Sequence, residues 1–459
     1  MFRRYIMEIL KRKKPHIKKT EELALYGGPK TVKRFRGKEK STIGVEEFMA
    51  VAKLWGYSSS TLKKIREIAC REKDLPRPFF VRYYNPRPSQ VKRMEEYASK
   101  LFKIKYALGV NSGTSALITA FAACGIGPGD EVIVPAYTFF ATVAAVVAVK
   151  AIPVIAEIND TLTIDPEDIK KKITPQTKAV IPVHMSGFCC DMDSIMEIAN
   201  TCSLSVIEDN AQSCGGSYQG KLLGTIGRMG CFSLSSYKIT GAGEAGMVLT
   251  DEDLLYIRAQ NQHDTAACWR PDRYASERFQ GELFFGQNYR MSEFQGAIDN
   301  VQLKKTKAQA KRYNTNMQRI QNGLGDFRTT AIRRSNDIQG DVGYNLVLLA
   351  ESPDKAEKLI EALQAEGIPA GGRGSKTAKD WHIYAYWEHV MEQKTATPEG
   401  CPFTCSYYKG KLPDYSPDMC PDTMDLICRA VFIRLSQWWT AEDCKKAVKA
   451  INKVCEILG

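Results

Sequence analysis

Short apolar runs alternate with helical patterns through the first half of the chain. Apolar residues recur at helical spacing from Val91 to Phe102. Strands are then predicted over residues 106–110, 131–135, 154–157, 179–183 and 205–207. Helices are predicted between them over residues 116–124, 138–150, 165–172 and 192–201. This alternation predicts an α/β fold in which helices cover both faces of a mostly parallel sheet.

The C-terminal part follows a different pattern. A long basic helix is predicted over 298–322, and a helix closes the chain over 442–457. Between them, a strand–helix–strand unit is predicted over 344–350, 355–366 and 368–370. We therefore expect a large domain over 91–324 and a smaller C-terminal α+β domain over 325–459.

The residues before the first strand follow neither pattern. Residues 45–73 predict one or two helices, ended by Pro76 and Pro78, within a helical and extended segment that we place over 21–90. Residues 1–20 carry eight Lys or Arg against one Glu, which predicts a basic, disordered tail. Contact with nucleic acid or an acidic membrane is the alternative role of such charge. The tail lacks the apolar core of a signal peptide.

The composition narrows the class of protein. With 44% hydrophobic and 25% charged residues, the chain resembles a soluble globular protein, and no run of about 18 apolar residues predicts a membrane span. The tail carries +7 of the net charge of +12, and because we interpret it as solvated and disordered, we expect neither a nucleic-acid nor a membrane partner. Fourteen cysteines without a signal peptide indicate the reducing cytoplasm. The five histidines are not at zinc-finger spacing from Cys189-Cys190 or from Cys401 and Cys405, so no metal is expected.

One lysine, Lys238, stands in a glycine-rich segment between two apolar runs. The first run ends at Phe232 and the second covers 247–249, which predicts a strand, a tight loop and a strand. Glu244 is its charged neighbour in the loop. Because desolvation lowers the pKa of an amine, Lys238 is a candidate nucleophile; a structural lysine is the alternative.

A polar turn follows the first predicted strand and opens a helix. Its residues Gly113, Thr114 and Ser115 present backbone N–H groups at the positive end of the helix dipole, where a phosphate binds well. An ordinary helix cap explains the same residues, since Ser and Thr are preferred there.

Three other predicted loops carry candidate side chains. Asp209 stands at the carboxyl end of a strand and suits a cationic ring nitrogen, or it caps the next turn. Phe139 follows another strand and either stacks on a planar cofactor or belongs to the core. Asn288 and Arg290 precede a helix that Ser292 is placed to cap, with Arg290 alternatively a surface cation.

Together these features match the needs of one cofactor. A phosphate cradle, a carboxylate for the ring nitrogen, an aromatic face and a desolvated lysine are what pyridoxal 5′-phosphate requires. Lys238 would form the aldimine, and Asp209 would keep the pyridine nitrogen protonated. Once an amino substrate displaces it, the Lys238 amine is free to transfer a proton.

From about residue 80 to the end, the chain resembles the DegT/DnrJ/EryC1/StrS family of sugar aminotransferases, which have the pyridoxal-phosphate fold type I. The matching segments are Arg82-Tyr-Tyr, Asn111-Ser-Gly-Thr-Ser-Ala-Leu, Gly127-Pro-Gly-Asp-Glu-Val-Ile-Val-Pro, Pro135-Ala-Tyr-Thr-Phe, Ile181-Pro-Val-His-Met-Ser-Gly, Ile207-Glu-Asp-Asn-Ala-Gln-Ser, Ser233-x4-Lys238, Gly243-Glu-Ala-Gly and Asn288-Tyr-Arg-Met-Ser-Glu.

The resemblance implies a role for each matching residue. Lys238 would be the Schiff-base lysine, Asp209 the partner of the ring nitrogen, Gln212 the partner of the ring hydroxyl and Phe139 the stacking ring. The phosphate would be held by Gly113, Thr114, Ser115 and Ser233, with Asn288 reaching across from the other subunit of a homodimer. Glutamate or glutamine would be the amino donor, and a keto-sugar the acceptor.

The sequence departs from the family pattern at one position, since the usual Gly-Glu-Gly-Gly is Gly243-Glu244-Ala245-Gly246 here. Alanine at 245 costs little if its φ is negative and strains the loop if its φ is positive. Family members that dehydrate sugars carry His at the lysine position, so Lys238 favours transamination.

In the C-terminal part, the segments Trp381-His382-Ile-Tyr and Cys401-Pro-Phe-Thr-Cys-Ser-Tyr-Tyr resemble those of members that act on free keto-cyclitols and on a keto-sugar acid. The resemblance therefore implies that a keto-cyclitol or keto-sugar acid could be the acceptor instead of a keto-sugar. The implied substrate contacts are His184, Arg290, His382 and Tyr407, each of which packing or surface exposure also explains. Two other functions stay open. One is elimination, replacement or condensation on an amino acid with the same cofactor, and the other is a regulator or scaffold without enzyme activity.

Overall fold

The fold comes from a computed structural model that describes residues 23–34, 43–71, 89–265, 276–373 and 379–459. The predicted tail over 1–20, the prolines Pro76 and Pro78 and the Arg82 segment lie outside these residues. The chain divides into two units, residues 1–79 and residues 80–459.

In the described residues of the first unit there are two helices, α1 (Val45–Lys53) and α2 (Ser59–Ala69), after a short 3₁₀ turn at Ala24–Tyr26. Ser58 caps α2 by accepting a hydrogen bond from the backbone N–H of Thr61, and Gly56, with a φ of +69°, turns the chain between the helices. One or two helices were predicted over 45–73, and the structure shows two within 45–71, the part of this region that it describes.

The second unit is built on a seven-stranded sheet with the order β1-β9-β8-β5-β4-β2-β3. Its strands are β1 (Tyr106–Val110), β2 (Glu131–Pro135), β3 (Ile152–Ala156), β4 (Thr177–Val180), β5 (Ser205–Asp209), β8 (Met229–Ser233) and β9 (Gly246–Thr250). Strand β9 is antiparallel to both neighbours, and the other four pairs are parallel. The carboxyl ends of β1, β2, β5 and β8 therefore lie along one edge of the sheet. A separate two-stranded ribbon is formed by β6 (Ser217–Tyr218) and β7 (Lys221–Leu222).

Helices cover this sheet, and its strands are almost fully buried. The helices are α3 (Gln90–Phe102), α4 (Gly113–Ala123), α5 (Ala141–Ala148), α6 (Pro166–Lys172), α7 (Met192–Cys202), α8 (Asp253–His263), α9 (Glu293–Gln302) and α10 (Thr306–Gln321). Ser112 caps α4 and Ser292 caps α9, each by accepting a backbone N–H three residues later, so the predicted cap at Ser292 is confirmed.

The C-terminal part forms a second, antiparallel sheet with the order β10-β11-β13-β12. Its elements are β10 (Thr330–Ile332), β11 (Asn345–Ala350), α11 (Pro353–Ala365), β12 (Ala370–Gly372), α12 (Glu388–Met391), α13 (Pro421–Arg429), β13 (Ala430–Arg434) and α14 (Ala441–Leu458). The predicted fold class, a mostly parallel sheet between helices plus a smaller α+β part, is confirmed.

Two predicted helices differ from the observed ones. The predicted helix over 298–322 is two helices joined by a 3₁₀ turn at Leu303–Lys305, where Leu303 is buried and the Thr306 hydroxyl is hydrogen-bonded to that of Thr240. Helix α5 begins at Ala141 rather than at Thr138, because residues 136–140 instead bond to residues 381–384.

Within the described residues, no helix combines the length and apolar character needed to cross a membrane. The same part of the chain holds no cluster of three or more His, Cys, Asp or Glu side chains arranged for a metal ion.

Candidate active site

A cavity of about 340 Å³ opens at the edge where the parallel strands end. Ligands of parallel sheets generally bind at this edge. The residues that line it are Ser112, Gly113, Thr114, Leu117, Thr138, Phe139, Ala141, Thr142, Val183, Met185, Asp209, Ala211, Gln212, Cys231, Phe232, Ser233, Ser235, Tyr237, Lys238, Glu244 and His382. Segments far apart in the sequence thus meet at one site.

The predicted phosphate turn forms one wall. Gly113 and Thr114 are the first two residues of α4, where backbone N–H groups have no acceptor within the helix. A Cβ on Gly113 would lie 2.7 Å from the Cβ of Ser233, so only glycine allows β8 to approach the turn this closely. The helix N-terminus and the Ser233 hydroxyl are thereby side by side, an arrangement suited to an anion.

Ser115 is the predicted phosphate contact that does not line the cavity. Its backbone N–H donates to the Ser112 hydroxyl over 3.0 Å, and its own hydroxyl donates to Oδ1 of Asn111 over 2.5 Å. Both polar groups of Ser115 are therefore occupied in fixing the turn.

Asp209 ends β5 and is 5% exposed, with both carboxylate oxygens hydrogen-bonded. Oδ2 accepts the hydroxyl of Thr142 over 2.9 Å, and Oδ1 accepts the backbone N–H of Ala211 over 3.0 Å. Burial raises the pKa of Asp209, while these donors and the charge of Lys238 oppose the rise. Thr142 was not predicted from the sequence, although its hydroxyl in an otherwise apolar helix was a visible signal.

Lys238 lies in the predicted loop between β8 and β9. Backbone bonds close the loop on itself, from Leu234 N–H to Ala245 O over 2.8 Å and from Ser236 N–H to Gly243 O over 2.9 Å. Burial lowers the pKa of Lys238, and the charge of Asp209 opposes the shift. An amine with a lowered pKa is more often unprotonated, as a nucleophile needs.

Alanine at position 245 does not strain this loop. Ala245 is fully buried in the apolar cluster beside β8 and β9, and its φ is not positive. The left-handed conformation falls instead on Gly243, with a φ of +110°. From the sequence, the backbone at Ala245 could be strained or unstrained, and the structure shows that it is unstrained.

Phe139 and Gln212 also line the cavity. Phe139 is 47% exposed, so the alternative that places it in the core is wrong. Oε1 of Gln212 accepts the backbone N–H of Ser186 over 3.0 Å and the hydroxyl of Tyr344 over 3.1 Å. These bonds hold the side chain of Gln212, and Tyr344, from the C-terminal part, was not predicted.

His382 is the predicted substrate residue that the structure brings to the cavity. The segment around it pairs with the chain after β2, through Thr138 N–H to His382 O and Tyr384 N–H to Ala136 O, each 2.9 Å. The His382 ring centroid lies 5.3 Å from that of Phe139. The C-terminal part thus supplies a wall of the site.

His184 does not line the cavity. It is fully buried, with Nε2 3.2 Å from Oε2 of Glu208 and with Nδ1 accepting the backbone N–H of Cys190 over 3.1 Å. Since Nδ1 accepts a hydrogen bond, the ring proton is on Nε2 and is donated to Glu208. These contacts fit the packing role that the sequence also allowed.

Arg290, Asn288 and Tyr407 lie outside the cavity of their own chain. Nη1 of Arg290 is paired with Oδ1 of Asp264 at 2.5 Å, and Asn288 is exposed. The backbone of Tyr407 lies beside Gly129, two residues before β2 begins. Tyr407 is therefore at the opposite end of β2 from the cavity.

Comparison with solved structures identifies the fold. The structure of an aminotransferase from Psychrobacter cryohalolentis matches with a TM-score of 0.66 and 25% identity, covering 88% of this chain and 98% of that one. The fold is that of fold type I pyridoxal-phosphate enzymes, as predicted. The sequence profile of the DegT/DnrJ/EryC1/StrS aminotransferase family matches residues 86–450, and the chain belongs to this family. Pyridoxal 5′-phosphate is the cofactor of the family.

Two curated relatives from that family are named as enzymes with different products or substrates. GDP-perosamine synthase of Caulobacter vibrioides is 40% identical over 44% of this chain and 53% of its own length. L-glutamine:2-deoxy-scyllo-inosose aminotransferase of Streptomyces kanamyceticus is 37% identical over 44% of this chain and 48% of its own. The chain thus spans about half the length of each of these two relatives.

Proposed function

We propose that the protein is a pyridoxal-phosphate-dependent aminotransferase that moves an amino group from glutamate or glutamine to a keto-sugar, keto-cyclitol or keto-sugar acid. One observation carries the proposal: Lys238, Asp209 and the N-terminus of α4 line the same cavity. These are the groups that an aldehyde, a pyridine nitrogen and a phosphate each need, and one ligand carries all three.

The residues present fit this cofactor. The N–H groups of Gly113 and Thr114, with the Ser233 hydroxyl, would hold the phosphate, and Phe139 would lie against the ring. Asp209 would pair with the ring nitrogen, since Thr142 and Ala211 already fix its orientation. Gln212 would bond the ring hydroxyl.

The bound cofactor withdraws electrons from the carbon that carries the migrating amino group. Asp209 supports this by holding a proton at the ring nitrogen. Lys238 would be the attachment point for the cofactor. Once the amino substrate has displaced it, the free Lys238 amine would remove the proton from the carbon that bears the donor's amino group, and in the second half-reaction it would protonate the former carbonyl carbon of the acceptor. The lowered pKa of Lys238 suits that exchange near neutral pH.

The names of the relatives support the substrate classes. One relative is named for a perosamine product and the other for glutamine and an inosose. A polyhydroxylated ketone, either a sugar or a cyclitol, is therefore the acceptor we propose. The Asn288 side chain does not reach its own cavity, which supports a homodimer in which each Asn288 serves the partner's site.

The two half-reactions test the proposal. Protein loaded with pyridoxal phosphate should convert glutamate or glutamine to the oxo acid and become charged with the amino group. The charged protein should then return to its starting absorbance with a panel of keto-sugars and keto-cyclitols. If neither donor reacts while another amino acid is turned over, an elimination, replacement or condensation enzyme is the correct class instead.

A further inference from the structure

A second cavity, of about 600 Å³, lies between helix α10, the β6–β7 ribbon and the turn over residues 339–341. It is larger than the active-site cavity of about 340 Å³, and no residue lines both cavities. Binding sites for small molecules generally have volumes of roughly 300–1,000 Å³. The second cavity is therefore large enough to hold a ligand of its own.

Hydrogen bonds join the three walls of this cavity. The backbone N–H of Ser217 in β6 donates to the Gly340 carbonyl over 2.9 Å. Nδ2 of Asn314 on α10 donates to the carbonyls of Ile338 and Asp341 over 2.8 and 2.7 Å. A Cβ on Gly340 would lie 1.9 Å from the Ser217 carbonyl oxygen, so the ribbon and the turn are in direct contact. Because the walls are already held together, a ligand would not have to order them on binding.

Three cations of α10 line the cavity: Lys307, Lys311 and Arg319. All three are exposed, and none forms an ion pair with an Asp or Glu in the part of the chain that the structure describes. Lys307 and Lys311 stand one helical turn apart on the same face, about 6 Å along the axis. Like charges at this spacing repel each other, and an anion bound between them would remove the repulsion.

The one carboxylate in the lining, that of Asp341, does not neutralise these cations. Its two oxygens accept hydrogen bonds from the backbone N–H of Cys189 and from the Ser335 hydroxyl, each over 2.8 Å. Arg333 is paired with the same carboxylate, so the charge of Asp341 is already balanced. The cavity therefore carries three positive charges that no carboxylate of its lining balances.

We propose that this cavity binds a phosphorylated small molecule that carries at least two negative charges. Lys binds phosphate as a point charge, and Arg binds it through its planar fork of donors. Leu222 and Ala310 also line the cavity, so the ligand has an organic part for them to contact. A nucleotide and a sugar phosphate share this chemistry. The inference does not depend on the proposed aminotransferase function, because the two cavities have no residue in common.

Calorimetry with ADP and with fructose 1,6-bisphosphate tests the site in protein loaded with pyridoxal phosphate. Wild type should bind at least one of them, and added salt should weaken the binding because the three cations are exposed. Lys307→Gln/Lys311→Gln should bind the same compound about 100-fold more weakly, because two charge-assisted contacts are lost. Tighter binding of ADP would identify a nucleotide site, and tighter binding of the bisphosphate a sugar phosphate site.

Two control variants assign the binding to this cavity. Lys445→Gln/Lys449→Gln removes two exposed lysines at the same spacing on α14, outside the cavity, and should leave the affinity unchanged. Ser233→Ala changes the phosphate site proposed for the cofactor, and it should also leave the affinity unchanged because Ser233 lines only the active-site cavity. Urea unfolding checks that each variant is folded.

Absence of binding of both compounds to wild type would overturn the inference, as would equal affinity in wild type and Lys307→Gln/Lys311→Gln. A single-stranded oligonucleotide of about twenty bases that binds where neither small compound does would also overturn it and would assign a nucleic-acid surface instead. None of these results uses the two half-reactions, so failure of the proposed function and failure of this inference are distinguishable.

Discussion

The hydroxyl of Thr142 donates a hydrogen bond to Oδ2 of Asp209 over 2.9 Å. Thr142 itself is held by Thr138, whose hydroxyl lies 2.8 Å away. Together with the Ala211 N–H, this chain of donors orients a buried carboxylate toward the cavity and favours its charged form. The orientation of Asp209 therefore depends on a helix that begins after a different strand.

Thr142→Val should weaken pyridoxal phosphate binding about tenfold. The substitution keeps the shape of the side chain but removes one donor from Asp209, which costs about 1–2 kcal/mol and raises the pKa of Asp209 further. Titration of the cofactor absorbance gives the affinity. Thr201→Val is the matched control, since the Thr201 hydroxyl donates to the Glu197 carbonyl within α7. Equal affinity in both variants would contradict the role of Thr142.

Gly113→Ala should lower cofactor affinity by about 10- to 100-fold. The added Cβ would lie 2.7 Å from the Cβ of Ser233 and would force the helix N-terminus away from β8, which separates the phosphate donors. Gly127→Ala is the control, since its Cβ would come no closer than 3.8 Å to the Val149 carbonyl. Binding of free phosphate, followed by calorimetry, should fall in the first variant only.

Ala245→Gly should leave cofactor binding unchanged and reduce stability by about 1 kcal/mol. The Ala245 methyl is buried, and glycine also adds conformational freedom to the unfolded chain. Urea unfolding measures the stability, and absorbance titration measures binding. A large gain in cofactor affinity on restoring the family's glycine would show that Ala245 does strain the lysine loop.

Asp299 should make the stability of the protein pH-dependent. It is fully buried on α9, neither carboxylate oxygen has a hydrogen-bond partner among the described residues, and burial raises its pKa to about 7. Because the folded pKa lies above the unfolded value of 3.8, the folded state retains the proton longer. The contribution of protonated Asp299 to the free energy of unfolding is fully present below about pH 4 and is lost as the pH rises to about 7.

Asp299→Asn should therefore abolish the fall in stability that wild type shows between about pH 4 and pH 7. Relative to wild type, the free energy of unfolding should change little with the substitution at pH 4 and rise at pH 8, by on the order of 4 kcal/mol at most. Urea unfolding at the two pH values measures the difference. Asp326→Asn, at an exposed aspartate, controls for the change of net charge. Parallel pH dependence of the Asp299 variant and wild type would refute the prediction.

The positions of the proposed cofactor-binding residues were predictable because they follow from strand order. Gly113, Asp209 and Lys238 each stand at or after the end of a strand, and ends of parallel strands share one edge of the sheet. Contacts set by the C-terminal part were not predictable, since Tyr344 reaches Gln212 across 132 residues of sequence. Tyr407 shows the same limit, because no local pattern tells which end of the sheet a loop will meet.

Covalent attachment of the cofactor at Lys238 is the central claim, and one measurement tests it most directly. Protein loaded with pyridoxal phosphate is reduced with borohydride, digested and analysed by mass spectrometry. The peptide containing Lys238 should carry the cofactor, and Lys238→Ala should carry it nowhere. Labelling of another lysine in the wild-type protein, or none at all despite bound cofactor, would contradict the account.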